Sequence, residues 1–227
     1  MFYLLLVIFI VVIILGPAYW VKQTLIRYSL PDDRYPETGA ELARILLDSA
    51  NLQSVKIEVT EQGDHYDPLA KAVRLTADKF HGKSLTAITV AAHEVGHALQ
   101  DKDGYWPLKI RTRLVEMAAP AEKLGAAILM IAPVMTAITR APSAGALMFL
   151  GGLLTMGTAA VVHLITLPME WHASFRRAMP ILEQGGYLLP GDERHARMIL
   201  RAAAWTYVSA SLMSLVNVAR WWAILRR

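Results

Sequence analysis

Residues 85–99 read LTAITVAAHEVGHAL, and the pentapeptide His93-Glu94-Val95-Gly96-His97 within them decides how the rest of the chain is read. On an α-helix, residues four apart stand one turn above each other, offset by only about 40°. The imidazoles of His93 and His97 can therefore reach one Zn2+ ion, with Glu94 beside them as general base toward an attacking water. Ser84 is a suitable N-cap for this helix, and Asp101-Lys-Asp-Gly104 should end it near Gln100. A glycine within a helix costs about 1 kcal/mol relative to alanine. Gly96, between the two histidines, thus implies that another helix or a substrate chain approaches closely there.

Composition places this helix in a mixed setting. Of 227 residues, 55% are hydrophobic and 19% charged, too apolar for an ordinary soluble domain and too charged for a bundle of spans alone. There is no cysteine, which excludes disulfides, thiolate ligands and a thiol nucleophile, so any metal site must use histidine and carboxylates. The net charge of +4 does not call for a nucleic-acid partner, because the basic residues are distributed as membrane-topology determinants. The expected fold is a mainly α membrane protein with about four transmembrane helices and a small α+β zinc-peptidase domain.

Residues 1–21 form an apolar N-terminal anchor of the length a hydrocarbon core requires, with Tyr19 and Trp20 at its edge and Lys22 beyond. Residues 22–123 read as a cytoplasmic metallopeptidase domain. Within it, Thr38-Gly-Ala-Glu41 is a capping box opening a helix over 38–50. Val55, Ile57 and Val59 alternate as a strand, Lys71 to Thr76 suggests another, and the polar segment between reads as a loop. Residues 124–167 form a two-helix membrane hairpin around the turn Arg140-Ala-Pro-Ser143, with several glycines in its second helix for close packing and His163 inside it. Residues 168–201 carry a further helix. Residues 202–227 are a C-terminal membrane helix ending in the interfacial pair Trp221-Trp222. With this order, all but four (Arg140, Arg220, Arg226, Arg227) of the 23 lysines and arginines fall on the side of the metal helix, which the positive-inside rule makes the cytoplasm.

Catalytic zinc usually takes three protein ligands. A third histidine six residues after His97 is excluded, because position 103 is Asp. Glu170 fits best: it follows the third span directly, on the side of His93, and Pro168 is placed to start a helix presenting it in the first turn. Glu183 and Glu193 are rivals that read more simply as surface carboxylates.

Five separated motifs then share a pattern: Asp64-His-Tyr-Asp-Pro68, Val73-Arg-Leu-Thr76, Phe80-His-Gly-Lys-Ser84, Ala91-Ala-His-Glu-Val-Gly-His-Ala98 and Thr166-Leu-Pro-Met-Glu170. Together they resemble the YugP-like neutral zinc metallopeptidases, over nearly the whole chain. The resemblance implies a multi-pass peptidase of the bacterial inner membrane, with zinc held by His93, His97 and Glu170. The plan is also similar to that of the HtpX-like membrane peptidases, in which a strand preceding the zinc helix aligns the substrate. One departure stands out. The family pattern has Asp two residues after the ligand glutamate, and this chain has His172.

The expected chemistry is hydrolysis of peptide bonds in membrane or membrane-proximal proteins. Glu94 takes the proton of the attacking water and passes it to the leaving amine. The strand Val73–Thr76 is a candidate edge for pairing with an extended substrate. His65, Tyr66, Asp67, His81 and His172 are candidates for positioning the ligands or stabilising an oxyanion, and each also reads as an ordinary structural residue. Asp64 and Asp67 can equally orient a ligand or build the turn before Pro68. The alternative function is a catalytically silent zinc-binding adaptor or chaperone, which would have no need of Glu94.

Overall fold

The computed structural model describes residues 2–225, with side chains described for all of these except 2–11, 13, 14, 119, 122, 142, 153, 155–161, 163, 164, 210 and 213–225. The side chains of His163 and of Trp221-Trp222 thus lie outside the described residues. The elements in chain order are α1 (Phe2–Arg27), α2 (Gly39–Ser49), β1 (Lys56–Val59), β2 (His65–Asp67), β3 (Ala72–Leu75), α3 (Ala77–Phe80), α4 (Leu85–Lys102), α5 (Trp106–Thr139), α6 (Pro142–His172), a π-helical turn (Ala173–Ala178), α7 (Met179–Gln184) and α8 (Glu193–Leu225). The fold is mainly helical with one small sheet. The chain forms two compact units, one from residues 2–18, 110–166 and 207–225, the other from 19–109 and 167–206.

The second unit is organised around α4. Ser84 caps it, its Oγ accepting from Ala87 N at 3.1 Å, and Asp103 and Gly104 end it, the glycine at φ +65°. Apart from Leu99, every residue from Leu85 to Gln100 is buried. An apolar first half with small residues throughout lets neighbours close on every side of the helix. Leu42, Leu46 and Leu47 of α2, Val73 and Leu75 of β3, Leu182 of α7, and Ile199 and Leu200 of α8 share its core. Burying each such side chain contributes about 2 kcal/mol, so α4 is held by protein and not by lipid. The capping box of α2 forms as the sequence predicts: Glu41 N donates to Thr38 Oγ1 at 3.2 Å and Thr38 N to Glu41 Oε2 at 2.7 Å.

The sheet corrects two expectations. Its order is β1-β3-β2, with β1 parallel and β2 antiparallel to β3. The strand expected as a substrate-binding edge is therefore the middle one, hydrogen-bonded on both sides. The polar segment expected as a loop supplies β2, a strand of three residues. It is too short to show alternation, and only Tyr66 is buried in it, while Asp67 pairs across to Arg74 at 2.7 Å.

Helix boundaries differ as well. The helix containing the second apolar stretch begins at Trp106, well before 124, because residues 106–123 already alternate apolar and charged side chains at helical spacing. Pro168 does not start a new helix; it lies inside α6, which runs on to His172. A proline removes one backbone donor, and a long helix bonded on both sides of it absorbs that loss. Glu170 is consequently near the end of a long helix. Within the first unit, α5 and α6 meet at small residues: a Cβ at Gly152 would lie 2.6 Å from Leu129 Cγ, and one at Gly145 would collide with Thr136. Among the described residues, one helix, Trp106–Thr139, is long and apolar enough to cross a membrane. The spans expected at 2–21, 144–167 and 202–222 fall partly on side chains that are not described.

Candidate metal centre

His93 and His97 stand one turn apart on the buried face of α4, ring centroids 4.8 Å apart. Glu170 of α6 is fully buried and meets both rings. Its Oε2 lies 3.0 Å from His97 Nε2 and 3.3 Å from His93 Nε2, and its Oε1 has no hydrogen-bond partner. Ligand atoms from these three residues all lie within 4.8 Å of one another, a spacing that can hold a metal ion.

The hydrogen bonds behind the rings fix what they present to the carboxylate. Gln100 Nε2 donates to the Met169 carbonyl at 3.1 Å, a pure acceptor, so its Oε1 is the atom facing His97 Nδ1 at 2.9 Å. His97 therefore carries its proton on Nδ1, and in the neutral ring Nε2 is a lone pair. Ser174 Oγ donates to the Leu200 carbonyl at 3.4 Å and lies 3.2 Å from His93 Nδ1, giving His93 the same orientation. Two lone pairs and a carboxylate then converge in a dry place. A buried carboxylate without a positive partner costs several kcal/mol, so the point is suited to a cation. The orphaned Oε1 of Glu170 is free to serve it, and imidazole nitrogens with a carboxylate suit Zn2+.

Without an ion, a proton takes that place. Burial disfavours a charged His97, but the charge and hydrogen bond of Glu170, aided by Glu94, outweigh it and raise the pKa to about 9. Burial likewise opposes ionisation of Glu170, yet the two imidazoles hold it well below the usual carboxylate range. Glu94 is different. Burial pushes its pKa up, and the negative Glu170 and Asp64 add to this against the opposing pull of His93 and His97.

The π-helical turn explains Gly96. A Cβ there would lie 2.9 Å from the Ala173 carbonyl and 3.4 Å from Arg177 Cβ, so the close approach expected from the sequence is made by the segment that follows Glu170. Arg177 pairs with Asp103 at 2.6 Å. His172 stacks on Tyr105, centroids 4.4 Å apart, and its Nδ1 lies 2.9 Å from Gln100 Nε2. Burial and the nearby Arg177 and Arg176 lower its pKa, consistent with a ring nitrogen that accepts. His172 thus reaches the centre only through Gln100.

The other candidates make contacts of their own. Tyr66 donates to Asp101 Oδ2 at 2.7 Å. Asp67 accepts from Leu69 N, Ala70 N and Arg74. His65 Nδ1 lies 2.8 Å from the Gly63 carbonyl, and the exposed His81 meets Phe80 edge-on. Asp64 accepts from Thr76 N and Oγ1 and pairs with Lys79. Glu183 is exposed and pairs with Arg197, and the exposed Glu193 opens α8. Gln100 and Ser174 were not anticipated. Their signals were spacing alone: Gln100 is one turn after His97, and Ser174 one turn after Glu170.

Two histidines and a glutamate on one buried helix, facing a carboxylate from a later helix, are the arrangement that zinc metallopeptidases use. The chain belongs to the family described as "Putative neutral zinc metallopeptidase", which it matches over residues 3–226. It is similar to the "Putative membrane protease YugP" of Bacillus subtilis (strain 168), with 36% identity over 226 residues, 94% of this chain and 93% of the relative. No solved structure shows a significant match.

Proposed function

We propose that this chain is a multi-pass zinc endopeptidase of the bacterial inner membrane, cutting membrane or membrane-proximal polypeptides with its centre on the cytoplasmic side. The observation that carries the reading is the convergence of His93, His97 and Glu170 on one buried point with Glu94 on the same helix. His93, His97 and Glu170 hold the ion and Glu94 is the general base. Zinc, when bound, polarises the scissile carbonyl and acidifies the attacking water. Glu94, whose proton affinity burial raises, takes that water's proton on its carboxylate and later releases it to the leaving amine. Gln100 and Ser174 keep both imidazoles turned with Nε2 inward. An extended substrate would pair with a free sheet edge, and with β3 enclosed the edge beside α4 is β2. Four spans, within α1, α5, α6 and α8, would bracket the domains at 22–123 and 168–201.

The test is cleavage of casein and of a peptide library by detergent-purified, zinc-loaded wild type and Glu94→Gln. Wild type should cut and Glu94→Gln should lose at least about a hundredfold in rate, the low end for general-base removal, with its zinc retained. Full zinc in both with no cleavage by either would favour the silent adaptor, and equal cleavage would remove Glu94 from the chemistry.

A further inference from the structure

Three long helices carry the same order of side chains. In α1 the apolar run ends at the exposed Trp20, followed by the exposed Lys22. In α6 it ends before the exposed Trp171, followed in the π-helical turn by the exposed Arg176. In α8, running the other way, the exposed Arg201 and Trp205 precede the apolar run from Tyr207. Apolar, tryptophan, cation is the order met on leaving a bilayer: hydrocarbon, then the glycerol layer where indole rings settle, then the phosphates. All six residues belong to the unit that holds the metal centre. Trp20 and Trp205 touch edge to face, centroids 6.4 Å apart, which puts the α1 and α8 members at one level. Trp106 does not belong to the set, because the turns after it carry Lys109, Arg111 and Arg113.

Trp171 follows the metal-facing Glu170 directly. Their axial separation on a helix is about 1.5 Å. We infer that Trp20, Trp171 and Trp205 form an aromatic belt at the lipid headgroup layer and that the metal centre lies at the depth of this belt. Resting on the peptidase reading above, the substrate class follows: the segment of a membrane-anchored polypeptide just outside its span, drawn out at the membrane surface. Lys22, Arg176 and Arg201 face the lipid phosphates. A soluble domain far from the bilayer lies beyond the reach of such a centre.

Because the chain has no cysteine, single cysteines can be labelled cleanly. The full-length protein, carrying a nitroxide at Trp20→Cys, Trp171→Cys or Trp205→Cys, is reconstituted in phosphatidylglycerol–phosphatidylcholine vesicles. Depth is then read from relaxation by oxygen against a water-soluble nickel chelate. Leu154→Cys serves as the deep reference and Glu183→Cys as the aqueous one. Phe175→Cys, whose ring packs on Trp171 at 4.4 Å, replaces Trp171→Cys if that variant fails to fold. The three belt positions should share one shallow depth near the phosphates. A label at 171 as accessible to nickel as that at 183, or as deep as that at 154, overturns the inference whatever the enzyme does.

A second arm uses a reconstituted single-span polypeptide with a long soluble tail, its cuts mapped by mass spectrometry. Cuts should fall within about ten residues of the span, roughly 33 Å of extended chain. Cuts spread along the tail would overturn the substrate class while leaving the peptidase intact. No cut by zinc-loaded protein would overturn the peptidase reading and the substrate class with it, and the depth result would stand by itself.

Discussion

Gln100 touches His97, Met169 and His172 at once, so one uncharged amide fixes the ring of one proposed ligand and the backbone beside another. Removing a partner of this kind typically costs 10- to 100-fold in metal affinity. Gln100→Leu should weaken zinc binding by about that factor in a chelator competition, with helicity unchanged; unaltered affinity would mean that His97 is oriented by something else. His97 adds a pH signature. Its folded pKa of about 9 lies above the ordinary value near 6.5, so its protonated form stabilises the metal-free protein. That contribution is complete below about pH 6.5 and is lost as pH rises through about 9. The melting temperature of chelator-treated protein should fall across this window, and zinc-loaded protein should not follow it. A metal-free melting temperature that stays flat would deny the proton its place between His97 and Glu170. The convergence of the histidine pair and Glu170, like the proposed role of Glu94, was readable in the sequence because helical spacing and ligand chemistry constrain which residues can be proposed. Gln100 and Ser174 were not, since a polar residue one turn from a ligand is common and only the folded backbone shows what it faces.

Among the elements, α4 and the π-helical turn are fitted to one another at Gly96. A methyl at 2.9 Å from a backbone oxygen cannot be relieved by turning a side chain, so helix and turn must separate. Gly96→Ala should destabilise by about 1–3 kcal/mol, the usual range for overpacking, even though alanine is the better helix former. Urea unfolding of the detergent-solubilised protein measures this, and a stabilised variant would show that the contact is loose. The need for Gly96 was readable from helix propensity. Its partner was not, because a π turn has no period in the sequence that separates it from the α-helix it continues. Sheet order was hidden for a related reason: β2 has three residues, and nothing in an alternating pattern says which of two strands ends up in the middle. Pro168 misled in the ordinary way, since a proline marks a helix start more often than it sits inside a long helix.

For the whole molecule, the absence of cysteine already excluded thiol chemistry, and apolar content with the placement of the basic residues led to the proposed membrane arrangement. What composition could not reveal is that each long helix is divided between two compact units. One of them gathers α4, the sheet and the segment after Glu170 around a single buried point. The account depends on that point holding zinc through a residue 73 positions from its nearer histidine. Zinc stoichiometry by elemental analysis of purified wild type, Glu94→Gln and Glu170→Ala tests it most directly. One zinc per chain in wild type and Glu94→Gln, with loss in a folded Glu170→Ala, is the expected result. Full zinc in Glu170→Ala, or none in wild type, would contradict it.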